Sequence, residues 1–314
     1  MKNSLKRQGM LLALALGVAV SAMACGPGES SGKKGDQQPA TGIAAQTAKP
    51  RGITKASEAP KPGAVDTADL GGGVKMELVW VPTGSFQMGS TRSEQDWAVS
   101  QGAKRELVEP EGPVHTVELD GFWMGKTEVT QEQYEAVMGK NPSNFKGGKN
   151  PVEEVSWNDA ADFCRKLTDK VGRASSPAKS FRLPTEAEWE YACRAGSTTR
   201  FCFGDSDNGL DEYAWYDGNS GKTTHPVGEK KANEWGLYDM HGNVYEWCGD
   251  WCADKYSAGS AKNPTGLSSG SFREFRGGCW GNPARYCRSA FRSGFVPGGA
   301  HYILGFRAVV PAVR

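Results

Sequence analysis

The stretch Arg276-Gly277-Gly278-Cys279-Trp280-Gly281-Asn282-Pro283-Ala284-Arg285-Tyr286-Cys287-Arg288 lies late in the chain and holds two of its eight cysteines. It opens on a glycine pair, which lets the backbone approach another segment closely. Aromatic and basic residues stand on both sides of the pair. We therefore look first to this stretch for a functional site.

The composition limits the possible functions. The 314 residues suffice for one large domain or two small ones, and we see no internal repeat and no inner boundary. Lys and Arg (37) nearly balance Asp and Glu (36), so no overall field favours nucleic acid. With 41 glycines and 10 tryptophans, the chain is typical of a loop-rich fold stiffened by aromatic packing.

The first residues read as a targeting segment. A basic start is followed by an apolar run from Met10 to Val20, which is too short for a typical membrane-spanning helix. Ser21-Ala22-Met23-Ala24-Cys25 then resembles a bacterial lipobox. We expect a lipoprotein signal peptide over residues 1–24, with the lipid on Cys25. An ordinary secretory signal is the alternative.

The next segment has the composition of a tether. Residues 25–73 are rich in Gly, Pro, Ser, Lys and Ala and bury too little apolar surface to offset their ordering entropy. We expect a disordered tether here and a folded domain over residues 74–314. The chain would then be exported and held at a membrane, periplasmic or at the cell surface, through its N-terminal lipid.

Within the domain, alternating and capped segments predict short elements. Strands are expected at Val74–Val81, at His115–Leu119, at Phe122–Val129 and near Trp247, Phe275 and Phe306, with Ser85–Ser90 as the hairpin partner of the first. Thr91–Gly112 reads as a charged loop. Three capping pairs predict helix starts: Thr130 with Gln133, Ser156 with Asp159, and Thr185 with Glu188.

Several phrases, taken in order, resemble one family. They are Gly84–Ser90, Lys126–Thr130, Pro151–Val152 with Val155–Ala160, Arg182–Ala192, Gly236–Trp247, Arg276–Gly278 and Gly305–Arg307. Over nearly all of 76–310 the chain looks like the formylglycine-generating enzyme, or sulfatase-modifying factor, family. The resemblance implies a single α+β domain of the C-type-lectin-like kind, with little regular secondary structure, short helices and twisted antiparallel strands.

The resemblance also implies a chemistry, and this chain departs from it. The family's enzymes use oxygen to convert a sulfatase cysteine to formylglycine, with Cu(I) held between two cysteines spaced C-x4-C. Here Asn282 stands where the first copper cysteine is expected, and seven residues separate Cys279 from Cys287. An amide cannot replace a thiolate on Cu(I). Copper is therefore expected only if the protein is an oxidase of this type. In that case Cys279 and Cys287 are the candidate catalytic residues, and both are doubtful.

Two further assignments follow from the resemblance. A family position at Cys193 carries a structural disulfide, so that a Cys193–Cys287 bridge is one candidate pairing among seven exported cysteines. The Gly236–Trp247 phrase matches a family calcium site, with Asp239 and Glu246 supplying carboxylates and Gly242 and Val244 supplying carbonyls, the hard ligands that Ca²⁺ prefers. The alternative is that the two carboxylates only satisfy backbone donors.

Three functions stay open. The first is non-catalytic binding of an extended peptide, a protein or a glycan at the cell surface, through Trp280, Asn282, Arg285, Tyr286 and Arg292. The second is an oxidase of the formylglycine-generating type, or a divergent thiol oxidoreductase using Cys279 and Cys287. The third is a structural subunit of a surface machine. The missing C-x4-C pair favours the first.

Overall fold

The computed structural model describes residues 59–172 and 178–312. The predicted signal peptide, Cys25 and most of the predicted tether lie outside these residues. None of the helices in the described ranges has the length and apolar character needed to cross a membrane.

The largest sheet joins the two ends of the domain. Its strands are β1 (Val65–Gly71), β2 (Val74–Val81), β5 (Phe122–Gly125) and β11 (Val309–Pro311), in the order β1-β2-β5-β11. All three pairings are antiparallel. The last strand of the chain therefore closes on the first part of the domain.

Two smaller sheets complete the β structure. One has the order β10-β6-β8-β9, from β6 (Tyr245–Trp251), β8 (Arg273–Arg276), β9 (Arg292–Phe295) and β10 (Leu304–Gly305). The other has the order β3-β4-β7, from β3 (Gly84–Met88), β4 (His115–Leu119) and β7 (Ala261–Lys262). β8 lies between β6 and β9, so the stretch that begins at Arg276 starts in the middle of a sheet.

The helices are short, and three of them begin at the predicted caps. They are α1 (Arg92–Ser100), α2 (Arg105–Val108), α3 (Gln131–Met138), α4 (Trp157–Leu167), α5 (Glu186–Arg194) and α6 (Leu210–Tyr213). α3, α4 and α5 each begin with a complete capping box at Thr130, Ser156 and Thr185. These boxes satisfy two backbone donors at each helix start, which confirms the three predicted helices and the α+β class.

Three expectations about local structure are wrong. Thr91–Gly112 is not a loop, since Thr91 caps α1 by accepting a hydrogen bond from Glu94 N. β3 pairs with β4 and not with β2. Order begins before residue 74, because Val65–Gly71 forms a strand along β2 in which Ala68 and Leu70 are buried. These segments are rich in charged and small residues, so their sequence does not show the long-range contacts that order the segments.

The interior combines an apolar core with buried ion pairs. Tyr134 stacks on Phe163 at 5.5 Å, and Phe306 packs edge-on against Phe163 at 5.2 Å. Beside this core, Arg276, Arg288 and Arg292 are 0%, 0% and 4% exposed and pair with glutamates from distant segments. We call these three side chains and their carboxylate partners the arginine network.

Candidate functional site

Arg276 fixes the start of the stretch on which the site prediction rests. Its guanidinium pairs with Glu190 of α5 and donates a hydrogen bond to Phe291 O at 2.6 Å. Burial would by itself lower the pKa of the guanidinium, but the surrounding anionic groups raise it above its usual range. Arg276 is therefore a permanently charged tie between β8 and α5.

The glycine pair that follows is required by space as well as by conformation. Gly277 and Gly278 have φ values of +99° and +76°. A Cβ on Gly278 would lie 2.6 Å from Cys287 Sγ and 3.1 Å from Tyr286 O. The chain passes between its own later segment and α5 there, and only glycine permits this.

Asn282 closes a turn. Its Oδ1 accepts a hydrogen bond from Cys279 N at 3.0 Å, and its backbone N donates to Cys279 O at 3.0 Å. The side chain is 7% exposed. At the position where the resemblance places the first copper cysteine, this chain has an amide that is used in its own backbone turn.

Both candidate thiols are buried and protonated. Cys279 is 2% exposed and Cys287 is 0% exposed. Burial raises the pKa of the Cys279 thiol to about 12 and the pKa of Cys287 well above its usual range. A thiolate is the nucleophile and the metal ligand in cysteine chemistry, so neither side chain is poised for it.

The predicted Cys193–Cys287 bridge is not formed, since both residues are free thiols. His241 lies between their segments. Cys202 N donates to His241 Nε2 at 3.1 Å, so the proton is on Nδ1, which donates to Cys287 O at 2.8 Å. Cys193 Sγ lies 3.9 Å from both ring nitrogens. The imidazole therefore joins these segments where the resemblance implied a disulfide.

Aromatic side chains pack against the core cluster that contains Cys279 and Trp280. Trp280 stacks on Tyr302 at 5.8 Å, and Phe145 packs edge-on against Trp280 at 5.5 Å. His301 lies 4.3 Å from the Tyr302 ring, and Tyr286 lies 5.0 Å from Phe291. We define the aromatic surface as Phe145, Trp280, Tyr286, His301 and Tyr302. Apart from the buried Trp280, these rings are half-buried, so that one part of each packs and another meets solvent.

The buried carboxyl group of Glu153 holds one part of this surface in place. Glu153 Oε1 accepts a hydrogen bond from Phe145 N at 2.7 Å, whereas its Oε2 is buried without a partner. Burial raises the pKa of Glu153 to about 7. The next residue, Glu154, has φ +58°, a strained value for a residue other than glycine. The segment that binds the Phe145 backbone thus contains a buried carboxyl group, that of Glu153, and a strained residue, Glu154.

The predicted binding residues are only partly brought together. Arg285 and Tyr286 are half-buried and adjacent, with the guanidinium 4.9 Å from the ring centre. Asn282 and Trp280 are buried. Arg292 does not belong to the surface, because its guanidinium pairs with Glu186 at 2.7 Å and with Glu274 in the arginine network. The expectation that Arg292 binds a ligand is therefore wrong.

The predicted calcium ligands Asp239 and Glu246 are both buried. Asp239 is 2% exposed, its Oδ2 accepts a hydrogen bond from Gly228 N at 2.8 Å, and its Oδ1 is buried with no hydrogen-bond partner among the described residues. Burial raises its pKa to about 6. Glu246, in contrast, is held by Arg307 at 2.6 Å and by Trp189 Nε1 at 2.8 Å.

The surroundings of this loop carry excess negative charge. Glu128 is fully buried and accepts from Val244 N at 3.3 Å; burial, followed by the charges of Asp239 and Glu246, raises its pKa well above its usual range. Arg307 offsets part of this charge. Even so, no group of three or more His, Cys, Asp or Glu side chains among the described residues lies within reach of one metal ion.

Sequence reasoning missed Phe145, Glu153 and His301 as parts of the site. Phe145 follows the Asn-Pro-Ser-Asn turn, far in sequence from Trp280, and only the tertiary contact joins them. The matching family phrases stop at Val152 and resume at Val155, and nothing in a single sequence separates a buried carboxyl from an exposed one.

The chain was compared with known proteins. Residues 71–312 match the family described as the Sulfatase-modifying factor enzyme 1-like domain. The chaperone protein LppX of Paenibacillus barcinonensis is 35% identical over 207 residues, which are 52% of this chain and 74% of that protein. The formylglycine-generating enzyme of Mus musculus is 35% identical over 184 residues, 54% of this chain and 46% of that protein.

Among solved structures, Treponema denticola variable protein 1 is similar over 79% of this chain and 99% of that chain. Its TM-score is 0.68 and its sequence identity is 34%. The family match covers most of the chain, and the structural match covers nearly all of the neighbour. The chain therefore belongs to the sulfatase-modifying factor family.

Proposed function

We propose that the domain is a non-catalytic binding module, held at a membrane by its N-terminus, which receives a polypeptide on the aromatic surface. The half-buried rings of Phe145, Tyr286 and Tyr302 supply large contact areas with few rotatable bonds, a composition typical of recognition surfaces. Arg285 adds one cation beside Tyr286. A glycan is the other ligand class that such a surface accommodates.

One observation carries the non-catalytic part of the proposal. Asn282 closes the Cys279 turn in place of the first copper cysteine. Neutral amides are poor ligands for Cu(I), which prefers soft thiolates. The two nearest thiols, Cys279 and Cys287, are buried and have raised pKa values. The residues present therefore do not fit the family's copper chemistry.

The relatives support binding of a polypeptide. One similar protein is named a chaperone, and another is an enzyme of the formylglycine-generating type. The first name concerns the handling of other polypeptides, and the resemblance implies that the family's enzymes act on a cysteine of a sulfatase chain. A binding module would keep that contact surface and omit the oxidation.

The alternative is an oxidase of the formylglycine-generating type, or a divergent thiol oxidoreductase using Cys279 and Cys287. The family match over residues 71–312 favours it. To test it, Cu(I) is titrated into the reduced full chain and oxygen uptake is measured with a cysteine-containing sulfatase peptide. We expect neither tight one-to-one binding nor peptide-dependent uptake. If both occur and are lost in Cys287→Ser, the oxidase reading replaces ours.

The binding itself is tested with an unfolding client. Light scattering follows the heat aggregation of citrate synthase with and without the full chain. We expect suppression by the wild-type chain and a large loss of suppression in Tyr302→Ala, which removes the half-exposed ring. The matched control Tyr216→Ala removes another half-buried tyrosine that is not part of the aromatic surface. Equal suppression by all three proteins would contradict the proposal.

Membrane attachment through lipidated Cys25 is part of the proposal and rests on the sequence alone. Metabolic labelling with a palmitate analogue in a bacterial host tests it. The wild-type chain is expected to carry the label and to fractionate with membranes, while Cys25→Ala carries none. A soluble, unlabelled wild-type chain would leave an ordinary secretory signal as the explanation.

Calcium at the Asp239–Glu246 loop is a further proposal, supported by the unpartnered Asp239 Oδ1. Gly242 and Val244 would add carbonyls, and Glu246 would have to share its carboxylate with Arg307. A ligand that binds only the folded state at 100 times its Kd stabilises by about 2.7 kcal/mol. We therefore expect Ca²⁺ to raise the Tm of the EDTA-treated chain, but not that of Asp239→Asn. Unchanged wild-type Tm would exclude this site.

A further inference from the structure

A large groove lies away from the aromatic surface. Its volume is about 1270 Å³, above the range of roughly 300–1,000 Å³ usual for small-molecule sites. α4 forms one wall, the segment from Ser180 to Thr185 a second, and the turn from Lys262 to Thr265 a third. Ala59 and Pro60, where the described chain begins, also border it. None of the residues of 276–288 lines the groove.

Trp157 provides a flat apolar wall. Arg273 covers one face of its indole, with the guanidinium 3.8 Å from the ring centre. The indole N–H donates to Cys248 O at 2.8 Å, which fixes the orientation of the ring. Trp157 is half-buried and lines the groove, so part of its indole is accessible there.

Fixed polar groups stand along the same groove. Arg182 and Glu188 form a two-pronged pair, with Nη1 to Oε2 at 2.7 Å and Nη2 to Oε1 at 2.6 Å. Asp250 Oδ2 accepts from Glu186 N at 2.9 Å. Asn263 holds Asp120, with Nδ2 to Oδ2 at 3.1 Å. Each of these planar groups is oriented by another, and each is part of the lining or touches it.

The charges of the lining nearly cancel. Its acidic residues are Asp120, Asp169, Glu188 and Asp250, and its basic residues are Arg165, Arg182 and Lys262. Arg182 pairs with Glu188, and Arg165 pairs with Asp162 and Asp169. Such a groove has no large surplus of charge with which to hold a strongly charged ligand.

The apolar side chains of the lining are largely sealed. Leu119, Phe122, Cys164, Phe181 and Leu183 are all 5% exposed or less. An extended peptide gains specificity from pockets that take alternate side chains, and sealed side chains offer few of these. The groove therefore combines one partly exposed indole with oriented polar groups.

We propose that this groove binds a neutral oligosaccharide, stacked on Trp157 and hydrogen-bonded by the oriented carboxylate, guanidinium and amide groups. The C–H face of a sugar ring is apolar and slightly positive, and it packs against the negative face of an indole. Sugar hydroxyls both donate and accept, so they match paired Arg182–Glu188 and Asn263–Asp120 groups without needing net charge. The size of the groove suits several linked units.

The test uses three neutral probes, chitohexaose, cellohexaose and maltohexaose, titrated into the full chain by calorimetry. We expect at least one probe to bind. Ala161→Trp, on α4 in the groove wall, places a bulky side chain in the groove, and should weaken binding by about tenfold or more, or 1.4 kcal/mol. Asn158→Trp, exposed on the same helix outside the lining, is the matched control and should bind as the wild type does.

Three results would overturn the proposal. The first is that no probe binds at millimolar concentration. The second is that a probe binds equally to Ala161→Trp and to the wild type, which would place the sugar elsewhere, for example on the aromatic surface. The third is that a heptapeptide library selects groove-dependent peptides while no sugar binds, which would assign the groove to a polypeptide. The Tyr302→Ala variant separates this site from the aromatic surface.

Discussion

The two halves of the stretch from Arg276 to Cys287 behave differently. Arg276, Gly277 and Gly278 match the family pattern and are locked between β8, α5 and the following loop. From Cys279 onward the chain departs from that pattern and forms a turn closed by Asn282. The first half is held by charge and by close backbone packing, whereas the second is held by hydrogen bonds, both within the turn and to distant segments, and by the stacking of Trp280 on Tyr302.

This difference separates scaffold from chemistry. Replacing a buried charged side chain such as Arg276 leaves its partners unpaired. The substitution therefore lowers the stability of the whole domain. The turn from Cys279 to Asn282 is held by hydrogen bonds and ring contacts, and it contains no buried charge. Because no buried charge is left unpaired, we expect substitutions in the second half to change reactivity while the fold remains.

The comparison predicts the largest loss of stability in the first half. Arg276→Ala leaves Glu190 short of a partner in the interior and should lower the free energy of unfolding by about 3–5 kcal/mol, measured by urea denaturation. Arg165→Ala removes an exposed pair with Asp162 and should cost less than about 1 kcal/mol. If both variants lost similar amounts of unfolding free energy, the first half of the stretch would not be held by its buried charge.

The boundary between the halves should be sensitive to a single methyl group. Gly278→Ala forces a Cβ to 2.6 Å from Cys287 Sγ at φ +76°, which should cost more than the roughly 1–2 kcal/mol of a left-handed residue alone. Gly281→Ala meets no atom within 4 Å and should be nearly neutral. Thermal unfolding of both variants checks this, and a Gly278→Ala protein as stable as Gly281→Ala would show that the loop yields easily.

Glu153 should make stability depend on pH below neutrality. Its folded pKa of about 7 exceeds the ordinary value, so the folded state keeps a proton that the unfolded state loses. Stability from this group is full below about pH 4 and is lost as the pH rises to about 7. Glu153→Gln removes the titrating group. As the pH rises over this range, the urea midpoint of the variant should therefore fall less than that of the wild-type chain. Parallel curves for the two proteins would contradict the raised pKa.

The smallest effect concerns the thiol of the second half. Because Cys279 is buried and its pKa is raised to about 12, it should react with iodoacetamide far more slowly than the half-buried Cys202 in the native chain at pH 8. Mass spectrometry of the labelled peptides measures both rates. In urea the two rates should converge, while rapid native labelling of Cys279 would revive a catalytic thiol.

Much of the local structure was determined by the sequence. Thr130, Ser156 and Thr185 cap their helices through neighbours three residues away, so that short-range chemistry suffices to place α3, α4 and α5. The ordered family phrases identified the family and the α+β class. Asn282 in place of a cysteine was visible without any structure.

Long-range contacts decided the remainder. β1 was hidden because its order comes from pairing with β2, and α1 was hidden because Arg288 draws Glu94 inward across 194 residues of sequence. Phe145 joins Trp280 and Tyr302 only in the folded chain. Arg292 read as a surface cation because a sequence does not show which charges are buried in pairs. Local hydrogen bonds follow from the sequence itself, but burial and partner choice depend on the whole tertiary arrangement.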